Sequence, residues 1–274
     1  MMTRRNYTQW NALMVSEVTF ALGSDRQGKP TITMLLLPGN TDVSFVTPAC
    51  VTNWPRCTGD GNFGTMWGPT DVQKAKYSLD LTDGAINGIE NPNFEAFADM
   101  LMQVDDKLLD FVHSNQLKVL GRKNLAREEV KMLQIRTVRP KYDKSSGVLI
   151  GHSVQMSTSK YAWDGMGGKF ARTINVCDHE GTVVPNGNVA PGDVVAATSY
   201  ANQVYTGVGG DKFGIHWSFE DVGFAKGAES AWPTAAPIPL RGSNHCFWTL
   251  SLPAAEMCSA VGSSMTPRRA QLAR

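Results

Sequence analysis

Few residues in this 274-residue chain combine the type and the spacing that chemistry requires. Gly59-Asp60-Gly61-Asn62-Phe63-Gly64 spells G-x-G-x-x-G, the glycine pattern that lets a backbone wrap a pyrophosphate. That task needs a strand before the motif and a helix N-terminus after it, so that amides and helix dipole meet the phosphates. Thr65-Met66-Trp67-Gly68-Pro69 follows instead and starts no helix, so the segment reads as a loop. Gly207 to Gly214 (GVGGDKFG) carries glycines and Lys212 but not the Gly-Lys-Ser/Thr order of a phosphate loop, and a hairpin turn is expected there. Cys177-Asp178-His179 offers two metal-ligand types, with no second pair spaced to complete a tetrahedron. His113, His152, His216 and His245 are scattered along the chain. The expectation is a protein that is not an enzyme, with no catalytic residues, metal or cofactor.

What remains is a segregation of charge inside a nearly neutral chain, 26 Lys and Arg against 25 Asp and Glu. From Asp71 to Asp110 nine acids face three lysines. From Arg139 to Cys177 six bases (Arg139, Lys141, Lys144, Lys160, Lys169, Arg172) face two acids, Asp143 and Asp164. Tyr142, Tyr161, Trp163 and Phe170 interleave with those bases. Cations that follow a phosphate backbone, beside rings on which bases stack, are the requirements of single-strand binding. The same pattern suits a β-protein with aromatics in its core and lysines on its strand exteriors.

The elements that position these residues are mostly strands. Gly 26 and Pro 14 punctuate the chain, and β-branched residues abound outside one stretch. Strands are expected over 29–37, 42–51 (interrupted by Pro48), 73–82, 134–139, 148–156, 169–176, 193–204 and 213–224. One long helix is expected from Asn91 to His113. Pro92 opens it, Phe94, Phe97, Leu101, Val104, Leu108, Phe111 and Val112 share one face, and Glu95, Asp99, Asp105, Asp106 and Asp110 lie on the opposite, watery face. A second, shorter helix is expected over 126–133. Five scattered cysteines make no disulfide scaffold, no signal-peptide pattern opens the chain, and the longest apolar run is far too short to span a bilayer. A soluble, intracellular protein is expected.

The order of these elements resembles the bacteriophage T7-like single-stranded DNA-binding protein family. The resemblance runs through Tyr77-Ser78-Leu79-Asp80-Leu81, the amphipathic helix, and Ile174-Asn175-Val176-Cys177-Asp178-His179-Glu180-Gly181. It continues through Asp193-Val194-Val195-Ala196-Ala197 and the hairpin from Gln203-Val204-Tyr205 to Phe213-Gly214-Ile215-His216-Trp217-Ser218-Phe219. Lys212 to Trp217 is also similar to a hairpin of the T7-like members found in nucleo-cytoplasmic large DNA viruses. Roughly Asp71 to Phe224 is covered. The resemblance implies an OB-fold, a five-stranded barrel with one inserted helix, that is non-catalytic and metal-free. It places Lys74 at a family basic position, Tyr205 at an aromatic one, and Trp217 on the following strand. After Leu240, Arg241, Arg268, Arg269 and Arg274 stand against Glu256, a departure from the family's acidic tail, which contacts replication proteins.

The resulting expectation is a mainly β protein with an N-terminal extension (1–28), an OB-fold domain (29–226) and a C-terminal appendage (227–274). Its function would be to coat and protect single-stranded DNA in replication, recombination or repair. The residues expected to touch nucleic acid are Lys74, Lys76, Arg139, Lys141, Tyr142, Lys160, Tyr161, Trp163, Lys169, Arg172, Tyr205, Lys212 and Trp217. Replication proteins (polymerase, helicase-primase) and a second copy of the chain are the further partners, with no membrane involved. If the protein is viral, its place is the host nucleus or a cytoplasmic replication site. The rival readings are a structural β-protein, such as a jelly-roll capsid or assembly subunit, and a single-stranded RNA-binding protein.

Overall fold

The structure, a computed structural model, describes residues 7–25, 28–52, 57–58, 62–63, 76–86, 88–143, 145–159, 161–163, 168–172, 174–178, 182–185, 189–201, 203–207 and 211–225. The centre is the strand Val194–Ala201, whose eight residues are all buried. Ser218–Ala225 pairs antiparallel with one of its edges. Thr41–Val46 and then Cys50–Thr52 pair with the other, also antiparallel. Between those two segments Pro48 has no N–H to give a ladder. Thr47 fills the break: its N–H donates to Ala197 O at 2.9 Å, and its hydroxyl accepts from Ala197 N at 3.0 Å.

From Cys50–Thr52 the sheet runs outward through Lys76–Thr82 and Leu149–Ser159 to Val138–Tyr142. In the other direction it runs from Thr41–Val46 through Pro30–Leu36, Gln203–Thr206 and Phe213–Ile215 to Gln134–Ile135. Leu149–Ser159 also meets the start of Ser218–Ala225. Ser157 N donates to Trp217 O at 3.0 Å, and the Thr158 hydroxyl donates to Phe219 O at 2.7 Å and accepts from Phe219 N at 2.9 Å.

The chain is mainly β with few helices, as its composition implies. Its sheet is larger than the five strands expected, because fifteen of the described strands join one network. Part of the surplus comes from the N-terminal residues. Val18–Ser24 pairs along its length with Pro30–Leu36, and Val18 and Phe20 enter the core, so the boundary placed at residue 28 falls inside a hairpin. Residues 226–274, and with them the expected appendage, lie outside the described residues.

The long helix spans Pro92–Ser114. Asn91 caps it by accepting from Phe94 N at 3.3 Å, and donates from Nδ2 to Ala49 O at 2.8 Å, which ties the helix start to the sheet. Phe94, Phe97, Leu101, Val104 and Leu108 are buried against the sheet, as their spacing predicts. Phe97 meets Trp10 and Phe45 edge-on at 5.9 and 5.7 Å. Burying these five side chains contributes roughly 1.5–3 kcal/mol each.

The acidic face needs one correction. Asp105 is wholly buried, where it accepts from Thr137 N at 2.7 Å and from the Thr137 hydroxyl at 2.9 Å. Asp106 and Asp110 stay exposed and pair with Arg136 and Arg127. The second helix forms over Arg127–Leu133, preceded by an unforeseen short one, Gln116–Leu120. Among the described residues, no helix is long and apolar enough to cross a membrane.

Candidate nucleic-acid interface

Lys76–Thr82 and Leu149–Ser159 sort their side chains by alternation. Tyr77, Leu79 and Leu81 face the core together with Val154, Met156 and Thr158. The other face carries the cross-strand pairs Lys76–Ser159, Ser78–Ser157, Asp80–Gln155 and Thr82–Ser153, of which Lys76, Gln155 and Ser159 are exposed while Ser78, Thr82 and Ser153 are buried. Val138–Tyr142 extends that outward face by setting Arg139 beside Ser153 and Lys141 beside Gly151. Arg139 donates to Gln155 Oε1 at 2.9 Å. Burial raises the Asp80 carboxyl above its ordinary value, against the opposing pull of Lys141, a Ser153 hydrogen bond and Arg139.

A groove of ≈ 350 Å³ is lined by Tyr200, Gln203, Tyr205, His216 and their neighbours. The turn of the Gln203–Thr206 and Phe213–Ile215 hairpin is closed by Gly207 N donating to Lys212 O at 2.7 Å. Its first strand presents Tyr205 49 % exposed. His216 links groove and face, with its Nε2 2.9 Å from the Ser157 hydroxyl. Burial, then the Lys76 ammonium, lowers the pKa of its ring. Arg172 donates from Nη1 to the hydroxyl of the groove residue Tyr200 at 3.3 Å, while its buried Nε meets no acceptor among the described residues.

Of the residues expected at the site, Lys76, Arg139 and Lys141 fall along this face, Tyr205 lines the groove, and Arg172 meets the groove's Tyr200. Tyr142 is exposed at the far end of its strand, and Lys212 is exposed in the turn of the groove's hairpin. Tyr161, Trp163 and Lys169 lie on a separate two-stranded hairpin, where Tyr161 pairs with Ala171 and Trp163 with Lys169. Lys74 and Lys160 lie outside the described residues.

Trp217 is corrected. It is 2 % exposed, packs on Phe45 at 5.1 Å and donates from Nε1 to the Thr137 hydroxyl at 3.1 Å, so its ring belongs to the core. Sequence reasoning passed over Tyr200, Ser157 and His216, whose only signal is proximity in space. Cys57–Thr58 and Asn62–Phe63 pair as a short hairpin across the glycine motif.

No family model and no curated protein matches the sequence. Among solved structures, the chain is similar to the crystal structure of gp2.5, a single-stranded DNA binding protein encoded by bacteriophage T7, at 10 % identity and a TM-score of 0.45, over 68 % of this chain and 87 % of that one.

Proposed function

We infer that the chain binds single-stranded DNA along the outward face of Lys76–Thr82 and Leu149–Ser159 and into the Tyr205 groove, without catalysing a reaction. One observation carries the reading: a half-exposed ring, Tyr205, lines a groove whose His216 meets Ser157, on the strand that sets Lys76 at one end and Arg139 and Lys141 at the other. A cationic track beside a stacking platform is what an unpaired strand needs.

The strand order supports an OB-type barrel within the larger sheet. Taken in chain order as one to five, Cys50–Thr52, Lys76–Thr82, Leu149–Ser159, Val194–Ala201 and Ser218–Ala225 neighbour one another in the order 1-2-3-5-4-1, with the 3–5 contact made by Ser157 and Thr158. In OB-folds the face of strands two and three and the loop between four and five bind oligonucleotides. Here that face bears Lys76, the neighbouring strand Val138–Tyr142 adds Arg139 and Lys141, and the four–five connection bears Tyr205. Coating of strands in replication, recombination or repair follows as the biological role.

Fluorescence anisotropy of the full chain with a dT oligomer, its duplex and the matching RNA tests the reading. Four phosphate contacts, from Lys76, Arg139, Lys141 and Arg172, give a log K against log salt slope of roughly −3 and a preference for single strand over duplex. Affinity indifferent to salt removes the electrostatic track, and a preference for RNA transfers the site to that ligand. Tyr205→Ala should weaken dT binding by about 1–3 kcal/mol with the melting temperature nearly unchanged. Unaltered affinity in that variant would sink the stacking role.

A further inference from the structure

The hairpin formed by Val138–Tyr142 and Leu149–Ser159 ends in a feature that the binding face does not use. Tyr142, Val148, Leu149 and Ile150 are 58, 60, 49 and 59 % exposed, four large apolar side chains gathered at one tip. A contiguous exposed apolar patch on a protein surface marks a contact site. Hydrogen bonds also tie the described residues of the tip together. Asp143 N donates to Val148 O at 2.8 Å and Gly147 N to Asp143 O at 2.9 Å, while the Asp143 carboxylate accepts from Ser145 N and Ser146 N at 2.9 and 2.7 Å. Hydrogen bonds from Ser145 and Ser146 hold that carboxyl well below the usual range, so its charge is spent on the turn.

The ladder slips between Lys141 and Tyr142, so Ile150 is an extra residue in the opposite strand. Gly151 beside it adopts φ 144°, and a Cβ there would strike the Asp83 carboxylate, which accepts from His152 N at 2.7 Å. Such a bulge bends a strand and re-aims its side chains. Here it re-aims the side chains at the tip.

We propose that this tip is a wedge that inserts Tyr142, Leu149 and Ile150 against the terminal base pair where a bound single strand meets duplex. The inference rests on the single-strand reading above. Charge selects the occupant: from Val138 to His152 the hairpin carries Arg139, Lys141 and Lys144 against Asp143 alone, and Arg139 and Lys141 lie on the binding face itself. A strand held there by its phosphates would lead its duplex end to the tip. Apolar side chains pushed against a base step unstack it, and neighbouring cations hold the backbone while they do.

The test uses a forked probe, a duplex with a dT arm, carrying 2-aminopurine in the first base pair, alongside the dT arm alone. Wild-type protein should raise the 2-aminopurine fluorescence severalfold and bind the fork about tenfold more tightly than the arm. The variant Val148→Ser/Leu149→Ser/Ile150→Ser should bind the arm within about twofold of wild type while losing both the fluorescence rise and the fork preference. Leu149→Ser alone, whose side chain is exposed, should show the same loss in part and guards against misfolding of the triple variant. A folded triple variant that keeps the rise and the preference overturns the wedge. So does a variant whose only change is a lower mass in sedimentation, which would make the tip a contact between copies of the chain. Wild-type protein that fails to bind the dT arm defeats the single-strand reading instead, and the two failures are distinct.

Discussion

Trp217→Ala should destabilise the protein by about 3–5 kcal/mol while leaving the oligonucleotide affinity of the folded fraction unchanged. The indole fills space against Phe45 and spends its N–H on the Thr137 hydroxyl, so alanine leaves both a cavity and an acceptor without its donor. Trp217→Phe keeps most of the volume and should lose only about 1–3 kcal/mol, the cost of the missing hydrogen bond. Chemical denaturation of the three proteins, with dT affinity measured on each, separates the outcomes. A Trp217→Ala protein that melts normally but loses affinity would return this ring to the interface.

The Thr137 hydroxyl also donates to Asp105, and that pair gives the second large effect. Asp105→Ala strands the Thr137 N–H and hydroxyl in the core and should cost about 3 kcal/mol. Asp105→Asn produces a pH signature. Burial, only partly offset by the Thr137 hydrogen bonds, pushes the Asp105 carboxyl up to about 6 from 3.8. The folded state therefore holds this proton more tightly than the unfolded chain does. Its contribution to stability is complete below about pH 4 and is lost as pH rises through about 6. Between those limits the wild type should lose roughly 2–3 kcal/mol relative to Asp105→Asn, which has no proton to release there. Paired melts of both proteins at pH 4 and pH 7 measure the difference, and a gap that does not move with pH would show an unshifted carboxyl.

The long helix was legible because its signals are local. Asn91-Pro92 marks the start, and the spacing of Phe94, Phe97, Leu101, Val104 and Leu108 marks the buried stripe. Asp105 escaped the same reading because its partner, Thr137, lies 32 positions away and no helical period announces it. Alternation in Lys76–Thr82 showed which residues face inward, but not that Cys50–Thr52 and Leu149–Ser159 flank them. The site divides the same way. Tyr205 was readable beside its glycine turn. His216 and Ser157, 59 positions apart, meet only when Leu149–Ser159 reaches the start of Ser218–Ala225. Trp217 misled because an aromatic beside a hairpin reads alike whether its ring turns outward or inward.

The central strand has a consequence for synthesis. Thr47 finds its partner in Ala197, 150 residues later, so Thr41–Val46 and Cys50–Thr52 leave the ribosome long before their shared neighbour exists. At translation speeds of roughly 5–20 residues per second that interval is about 10–30 s. During it Val43, Phe45, Val46 and Cys50, all fully buried in the finished protein, have no Val194–Ala201 to cover them. Until the last quarter of the chain emerges these apolar residues should stay uncovered and prone to association. Truncation anywhere before residue 201 should yield aggregates rather than a smaller folded domain.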